Sequence, residues 1–412
     1  MTTEKNLNAS PIKTKKIAVI GAGAAGLMAA IEAGKKGHHV SVFDHAKKPA
    51  EKIRISGGGR CNFTNKYCTH ENFIGQNKHF HKSALSRYPA ENFISMVEDH
   101  NIPYHEKHPE KNTGQLFCDG KSQAIIDMLL TECTSHNVQI SLETSVDKIT
   151  KNDTDFSLEI NNQIHTYDSV IIATGGPSIP KMGASDFGYK IAQQFGHNII
   201  PIEPALVPLT FTDELLNFTK SLSGVSIDSV LVKSDSYQFH DDLLFTHRGL
   251  SGPAILQISS YWNAGESIKI NFASDKDMLK ILQSARAENP KAKLQKFLGQ
   301  FLPARFIEQM IDLTLDDQDK SKNLADLSDK KLKNISDFIH QWTIKPNGSE
   351  GYRTAEVTRG GINTNEIDAK TFESKKCKGL YFIGEVLDVT GHLGGHNFQW
   401  AWASGYCCGQ EI

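Results

Sequence analysis

A glycine-rich turn between two apolar runs near the N-terminus constrains the fold of this chain most strongly. Residues 17–20 (Ile-Ala-Val-Ile) are continuously apolar, which predicts a strand buried on both faces of a parallel sheet. The turn 21–26 has glycine at its first, third and sixth positions, and the alanine-rich segment 24–36 favours a helix. A second strand-like run, 39–43, ends just before Asp44. This order predicts a β-α-β unit in a parallel sheet.

The chemistry of that turn suits the phosphates of a dinucleotide. The first glycine permits the tight turn, the second lets a pyrophosphate approach the backbone, and the third lets helix and strand pack closely. The N-terminus of the helix favours the negative charge, and the carboxylate that ends the second strand can bind ribose hydroxyls. The predicted contacts are Gly21, Gly23, Ala24, Ala25, Gly26 and, on the adenosine ribose, Asp44.

A second glycine-rich segment follows more than 300 positions later and has a similar pattern. An apolar run, 380–383, leads into Gly384 and Glu385, whose carboxylate can reach a flavin ribitol or a phosphate-bound water. A further glycine pair then opens a helix over 397–408, and a helix N-terminus aimed at flavin N1 and C2=O favours the reduced anionic flavin. Two such segments predict one FAD held from both ends of the chain. The predicted contacts here are Gly384, Glu385, Gly394, Gly395, Asn397 and Phe398.

The string Ser-Gly-Gly-Gly-Arg-Cys-Asn at 56–62 is the most specific local string in the chain. Three consecutive glycines expose backbone N–H groups to an anion, and Arg60 supplies a cationic fork. Asn62 can hydrogen-bond a flavin ring or ribitol. The Thr-Gly pair after the buried run 169–173 is typical of a strand that returns to a dinucleotide fold. The predicted contacts are Ser56, Gly57, Gly58, Gly59, Arg60, Asn62, Thr174 and Gly175.

Candidate catalytic residues are fewer and less specific. The segment 245–253 is expected to end a strand and to begin a helix with Ser251 as its N-cap, which places His247 just before the cap. His247, His392 and His396 are candidate proton donors, although a lone histidine is more often structural. Cys61 is either a packing residue or a redox residue, and packing is favoured. Its position relative to the flavin decides its role.

Composition narrows the class of protein. The 412 residues suffice for two or three domains, and a net charge of −2 predicts no strong attraction to nucleic acid or membrane. There is no run of 18 or more apolar residues. The seven cysteines form no CxxC pair and no ligand-like spacing with histidine, so we predict no metal site and reduced thiols in a cytoplasmic protein. The oligomeric state stays open.

Changes in composition along the chain suggest its domain organisation. Residues 1–15 are polar and read as a flexible tail, and 16–196 form the first part of an FAD-binding domain. The strand-like segment 197–275 and the charged, helix-favouring segment 276–345 read as an insertion. Residues 346–412 complete the FAD-binding domain.

Taken together, these strings resemble the BaiN/YhiN-type flavoproteins, also described as NAD(P)/FAD-dependent or aminoacetone-oxidase-type oxidoreductases. The strings that carry the resemblance lie at 21–26, 55–62, 245–253, 357–361 and 384–395. The resemblance implies an α/β fold: a Rossmann-like FAD-binding domain of glutathione-reductase type with an inserted β-barrel-like plus helical domain. Lys52 and Val146 are two further predicted cofactor contacts.

The chain departs from the family pattern near two of these strings. Asp44 stands where the family commonly has Glu, a change of one methylene that preserves ribose binding. Ala50-Glu51-Lys52 replaces the usual Gly-Arg-Lys, so no arginine contact is expected at position 51.

The resemblance implies several chemistries, among which fold similarity does not choose. We predict an FAD-dependent oxidoreductase that transfers hydride from reduced flavin to a conjugated C=C bond, in an enone-like small molecule or a uracil ring. NAD(P)H is a possible transient electron donor, docking without a Rossmann domain of its own. The alternatives are an amine oxidase that produces hydrogen peroxide, a ribosomal RNA dihydrouridine-forming enzyme, and a non-catalytic flavoprotein.

The RNA alternative has one candidate surface in the sequence. Lysines at 291–296 and 330–333 could contact phosphates, although a solvated helical face is the preferred interpretation. The net charge does not support nucleic-acid binding.

Overall fold

The computed structural model describes residues 13–412, which form two compact units. Unit 1 comprises the described residues up to Glu203 together with Thr358–Ile412, and unit 2 comprises Pro204–Val357. The change in composition near Gly196 precedes the first of these divisions, which falls within a strand at 199–205. Most of the predicted tail 1–15 lies outside the described residues.

The first part of unit 1 contains most of its helices and strands. Its helices are α1 (Ala24–Lys35), α2 (Glu51–Gly59), α3 (Lys82–Arg87), α4 (Ala90–Asp99), α5 (Gln123–Ser135) and α6 (Phe187–Gln194). Its strands are β1 (Lys16–Ile20), β2 (His39–Phe43), β3 (Asn62–Asn65), β4 (Phe73–Ile74), β5 (Tyr104–Glu106), β6 (Gln115–Cys118), β7 (Gln139–Ser141), β8 (Val146–Lys151), β9 (Phe156–Ile160), β10 (Gln163–Tyr167), β11 (Ser169–Ile172) and β12 (Ile199–Ala205), the last of which enters unit 2.

Unit 2 continues the chain with strands and then helices. Its strands are β13 (Leu209–Thr210), β14 (Ser226–Lys233), β15 (Gln238–Thr246), β16 (Gly249–Ser251), β17 (Ile268–Asn271), β18 (Trp342–Ile344) and β19 (Gly348–Ser349). Its helices are α7 (Asp213–Ser221), α8 (Pro253–Ser259), α9 (Met278–Glu288), α10 (Leu294–Leu298), α11 (Ala304–Thr314), α12 (Asp317–Lys320) and α13 (Asp329–Gln341). The chain then returns to unit 1 with β20 (Val357–Ile362), β21 (Leu380–Phe382), β22 (Thr390–Gly391) and α14 (His396–Glu411).

A five-stranded parallel sheet organises unit 1, in the order β21-β11-β1-β2-β7. The side chains of Ile17, Ala18 and Val19 in β1 are completely buried, as the apolar run predicts for a central strand. β21 comes from the far end of the chain and pairs with β11. Both glycine-rich segments therefore follow strands of the same sheet and lie at the same edge of it, where the carboxyl ends of parallel strands meet.

Close packing of α1 against α14 joins the two ends of unit 1. A β-carbon at Gly405 would lie 2.5 Å from the Ala25 carbonyl oxygen, and one at Gly409 would lie 2.6 Å from the Ala29 carbonyl oxygen. These two glycines allow the helix backbones to approach each other. The Lys15 ammonium also donates to the Ile412 carbonyl oxygen at 2.6 Å.

Unit 2 has its own sheet and its own core. Seven strands follow the order β18-β17-β14-β15-β16-β13-β19, with antiparallel pairing throughout. Helices of unit 2 pack on one face of this sheet. Phe245, Phe306 and Trp342 belong to the core between them. This sheet is the β-rich part of the insertion that the sequence predicts as barrel-like, and α9 to α13 lie within 276–345.

Candidate functional site

The glycine turn after β1 has two packed glycines and one open glycine. A β-carbon at Gly21 would lie 2.5 Å from the Ala173 carbonyl oxygen, and one at Gly26 would lie 1.9 Å from the Gly21 carbonyl oxygen. No atom lies within 4 Å of the corresponding position at Gly23, which is the N-cap of α1. The turn therefore packs against the sheet and leaves open space at the helix N-terminus, which fits a pyrophosphate there.

Asp44 connects the end of β2 to this turn. Its Oδ2 accepts a hydrogen bond from the Ala22 N–H at 2.7 Å, and its Oδ1 accepts one from the Ala46 N–H at 2.8 Å. A carboxylate oxygen has two lone pairs, so each oxygen keeps one for a ribose hydroxyl. The residue thus has a structural role in the glycine turn that the sequence did not indicate, and ribose binding stays a prediction.

Glu385 is the centre of a polar cluster built from four segments of unit 1. The Lys52 ammonium donates to Glu385 Oε2 at 2.6 Å and to Ser178 Oγ at 2.7 Å. Glu385 Oε1 accepts from Ser178 Oγ at 3.1 Å and from the Thr358 N–H at 2.9 Å. The Lys52 and Glu385 side chains are 32% and 18% exposed, so the pair is accessible to a polar ligand. The sequence did not predict Ser178 or Thr358 as site residues. The only local signal for them is a nearby glycine pair, which precedes Ser178 and follows Thr358.

Two buried hydroxyl groups beside this cluster have no hydrogen-bond partner among residues 13–412. They are the Oγ1 atoms of Thr174, which follows β11, and of Thr358. A β-carbon at Gly176 would lie 2.5 Å from Thr358 Oγ1 and 3.1 Å from Glu385 Oε1, so the glycine pair at 175–176 packs on the cluster. Because buried polar groups are normally satisfied, these hydroxyls fit a site that is completed by a bound polar group.

The triple-glycine segment continues α2 as a left-handed turn. Gly57 and Gly58 have φ of 56° and 66°, and Gly59 has φ of 88°. A β-carbon at Gly57 would lie 2.6 Å from Phe117 Cε1, whereas nothing lies within 4 Å of that position at Gly58. The Arg60 side chain is exposed and makes no hydrogen bond or ion pair within the described chain, which leaves its guanidinium available to an anion.

Asn62 is buried at the start of β3, and its amide is engaged by protein groups. With the amide NH₂ directed at the Thr64 and Leu116 carbonyls, its oxygen accepts from the Gly395 N–H at 3.2 Å. Asn62 therefore holds the glycine pair before α14 in place. A contact with flavin, as the sequence predicts, stays a prediction.

The turn before α14 is fixed in a similar way. Gly394 and Gly395 have φ of 108° and 96°, and a β-carbon at Gly395 would lie 2.5 Å from the Thr64 carbonyl. The Asn397 side-chain oxygen accepts a hydrogen bond from the Gly391 N–H, and its NH₂ donates one to the Gly391 carbonyl, each at 2.8 Å. Phe398 stacks on Trp402 at 5.8 Å between ring centroids. Asn397 and Phe398 thus have structural partners that the sequence analysis did not assign to them.

The other predicted residues occupy different environments. Val146 is 7% exposed and pairs with Ile160 in the antiparallel meander β10-β9-β8. His247 lies in unit 2, exposed in the turn between β15 and β16. The predicted helix cap at Ser251 is wrong by one residue, because Ser251 still belongs to β16 and Gly252, with φ of 88°, is the N-cap of α8.

Burial changes the chemistry of three further candidates. Cys61 is completely buried, and its burial raises the pKa of its thiol, which favours packing over redox chemistry. Burial also lowers the pKa of His392 to about 4 and that of His396 to about 3. Both imidazoles are therefore neutral at pH 7 and cannot donate a proton as imidazolium ions.

The parallel sheet, the open helix N-terminus and the Glu385 cluster define a Rossmann-type FAD-binding oxidoreductase. Residues 15–411 match the family described as HI0933-like protein Rossmann domain. The chain belongs to this family of flavoproteins, in agreement with the resemblance to BaiN/YhiN-type proteins.

Three curated relatives are similar along almost their whole length. The chain is 46% identical over 394 residues to a ribosomal RNA dihydrouridine synthase of Escherichia coli, covering 96% of this chain and 97% of the relative. It is 45% identical over 398 residues to a protein of the same name in Haemophilus influenzae, with the same coverage. It is 26% identical to a 3-dehydro-bile acid delta(4,6)-reductase of Clostridium scindens, covering 96% of this chain and 98% of the relative.

No helix within residues 13–412 is long and apolar enough to cross a membrane. No group of three or more His, Cys, Asp or Glu side chains in the same residues could hold a metal ion.

Proposed function

We propose that this protein is an FAD-dependent enzyme that reduces uridine in ribosomal RNA to dihydrouridine. The observation that carries the proposal is the similarity, at 46% and 45% identity over nearly the whole chain, to two proteins named ribosomal RNA dihydrouridine synthase. The sequence predicts reduction of a conjugated C=C bond in an enone or a uracil ring, with an amine oxidase and then an RNA-modifying flavoprotein as alternatives. The two relatives favour the RNA-modifying alternative.

Reduction of an enone-like small molecule is the second candidate. It is supported by the relative named 3-dehydro-bile acid delta(4,6)-reductase, whose identity of 26% is much lower. Both candidates require the same chemistry, because an enone and the C5=C6 bond of uracil are each activated by a conjugated carbonyl. The same arrangement of flavin and proton donor could therefore reduce either substrate. The higher identity to the two ribosomal RNA dihydrouridine synthases favours RNA.

The reaction adds two electrons and two protons across the C5=C6 bond, as a hydride to the electrophilic carbon and a proton to its neighbour. The hydride comes from the cofactor when FAD is bound and reduced. The proton needs a donor near the substrate, and we propose the exposed His247 for this role. NADH or NADPH is the proposed source of electrons, and it must dock without a second glycine fingerprint of its own.

Residues of unit 1 are proposed to hold the cofactor at three places. The open N-terminus of α1 at Gly23 receives the pyrophosphate, and the remaining lone pairs of Asp44 receive the ribose hydroxyls. The Lys52–Glu385 pair receives the ribitol or a phosphate-bound water. At α14, the N–H groups of the helix N-terminus are proposed to bind the flavin edge.

The test combines purified protein, FAD, NADH or NADPH and ribosomal RNA transcribed in vitro, which carries no modification. We expect bleaching of the flavin band under anaerobic conditions and dihydrouridine in the RNA, measured by mass spectrometry of its nucleosides. Glu385→Gln should weaken FAD binding, while Glu214→Gln, at an exposed position of α7, should leave it unchanged.

Two outcomes would contradict the proposal. Flavin reduction with no dihydrouridine in any ribosomal RNA, together with saturation of an enone, would assign the protein to small-molecule reduction. Release of hydrogen peroxide on addition of small amines would assign it to amine oxidation. A cytoplasmic location, where ribosomal RNA is found, stays a prediction.

A further inference from the structure

The sheet of unit 2 has one buried face and one exposed face, and the exposed face carries lysines on neighbouring strands. Val232 of β14 pairs with Ile270 of β17, and both side chains are completely buried. The next residues along these strands, Lys233 and Lys269, pair with each other and are exposed. Successive side chains of a strand alternate between the faces, so these two lysines lie side by side on the solvent face.

A third lysine extends this row onto the next strand. Lys269 pairs with Thr343 of β18, which is exposed, and Lys345 stands two residues further along the chain. Lys345 stands one residue past the end of β18 and continues its alternation, which makes it the diagonal neighbour of Lys269, at about 7–8 Å in a regular sheet. We call Lys233, Lys269 and Lys345 the lysine face.

The charges of the lysine face are not compensated within the structure. None of the three ammonium groups makes an ion pair or a side-chain hydrogen bond anywhere in residues 13–412. Lys233 and Lys269 are cross-strand partners whose β-carbons lie about 4.5–5.5 Å apart, and like charges in that arrangement destabilise a sheet. A bound polyanion would relieve this repulsion.

Protection of a sheet edge does not account for the arrangement. Lysines on edge strands discourage pairing with other chains. However, β17 lies between β18 and β14, so Lys269 is on an interior strand of the sheet.

Half of the six lysines at 291–296 and 330–333, which the sequence indicated as an RNA contact, have partners within residues 13–412. Lys331 forms ion pairs with Asp319 and Asp316, and the Lys333 ammonium lies 2.5 Å from Asp337. Lys293 donates to the Ser321 carbonyl. The helical segment therefore offers fewer free charges to a phosphate chain than its sequence suggests.

We infer that the lysine face of unit 2 binds the phosphate backbone of the RNA substrate. This inference rests on the proposed function, because it supplies an RNA contact that the net charge of −2 does not predict.

The test compares two triple variants with the same change in charge. One is Lys233→Gln, Lys269→Gln and Lys345→Gln, and its control is Lys291→Gln, Lys296→Gln and Lys330→Gln, three exposed lysines of the helical segment. Affinity of the FAD-loaded protein for in vitro transcribed large- and small-subunit ribosomal RNA is measured as a function of salt. We expect the lysine-face variant to bind about tenfold more weakly at about 0.15 M salt, with its salt slope reduced by about 2, and the control to bind like the parent.

The outcomes separate this inference from the proposed function. Equal RNA binding by both variants and the parent, with the parent forming dihydrouridine, would overturn the lysine face and leave the proposed function intact. A parent protein that neither binds ribosomal RNA nor forms dihydrouridine would overturn both. Loss of binding to vesicles of anionic phospholipid, with RNA binding unchanged, would assign the face to a membrane surface and overturn its role in RNA binding.

Discussion

At the scale of single residues, the three glycines of the first turn have different roles that mutation can separate. A β-carbon at Gly26 would collide with the Gly21 carbonyl, so Gly26→Ala should lower the free energy of unfolding of the apoprotein by about 1–3 kcal/mol or more. Gly23 has an ordinary φ of −85° and open space, so Gly23→Ala should leave that stability within about 0.5 kcal/mol of the parent.

FAD titration tests the same pair of variants for function. The new methyl group of Gly23→Ala would stand where the pyrophosphate is proposed to lie, so FAD affinity should fall although the fold is unchanged. Urea unfolding of the apoprotein and an absorbance titration with FAD measure the two effects. An unchanged FAD affinity in Gly23→Ala would place the pyrophosphate elsewhere.

The buried histidines near α14 should make stability depend on pH. Burial lowers the folded-state pKa of His396 to about 3 and that of His392 to about 4, below the ordinary histidine pKa of about 6.5. The unfolded chain therefore binds more protons below pH 6.5, and stability is lost as the pH falls from there towards the folded-state pKa. Each histidine should contribute a loss of about 2 kcal/mol between pH 7.5 and pH 5.

Substitution of one histidine isolates this effect. His396→Phe, which removes the titrating group, should flatten the fall in the free energy of unfolding over that range. His165→Phe, at an exposed position of β10, should leave the pH dependence as in the parent. Urea unfolding at several pH values measures both, and an unchanged slope in His396→Phe would contradict the assigned cause.

At the scale of secondary-structure elements, the contact between α1 and α14 should depend on glycine. In an isolated helix, replacing glycine by alanine is stabilising by about 1 kcal/mol. At Gly405 the added β-carbon would lie 2.5 Å from the Ala25 carbonyl oxygen and 3.0 Å from Met28 Cβ, so Gly405→Ala should instead destabilise unit 1 by about 1–3 kcal/mol.

A second glycine provides the comparison for that variant. Gly299 has an α-helical φ of −59°, and a β-carbon there would meet only ordinary contacts at 3.4 Å or more. Gly299→Ala should therefore be neutral or slightly stabilising. Thermal and urea unfolding of both variants give the answer, and a stabilised Gly405→Ala would show that the two helices do not approach as closely as described.

At the scale of the whole molecule, two separate cores should respond differently to the cofactor. The predicted FAD contacts belong to unit 1, whereas Pro204–Val357 has a core of its own. FAD at 100 times its dissociation constant should stabilise the part that binds it by about 2.7 kcal/mol. Hydrogen exchange with and without FAD should show increased protection in 16–203 and 358–412. Protection gained mainly in 204–357 would contradict the assignment of the site to unit 1.

The sequence by itself determined the features that depend only on residues close together in the chain. The apolar run of β1, the glycine spacing after it and the alanine-rich helix are local features, because φ/ψ preference and burial pattern act over a few residues. The parallel sheet, the FAD-binding class and the family all follow from such strings. The error at Ser251, one residue from the true cap at Gly252, is the usual limit of a local signal.

Only the tertiary structure decided which distant groups meet. Lys52 and Glu385 stand 333 positions apart and form an ion pair because β11 pairs with β21, which brings the C-terminal segment to the first glycine turn. Burial, which depends on the whole of unit 1, excluded His392 and His396 as cationic acids. Strand register likewise placed Lys269 opposite Lys233, because pairing between strands is set by the packed core and not by the residues along one strand.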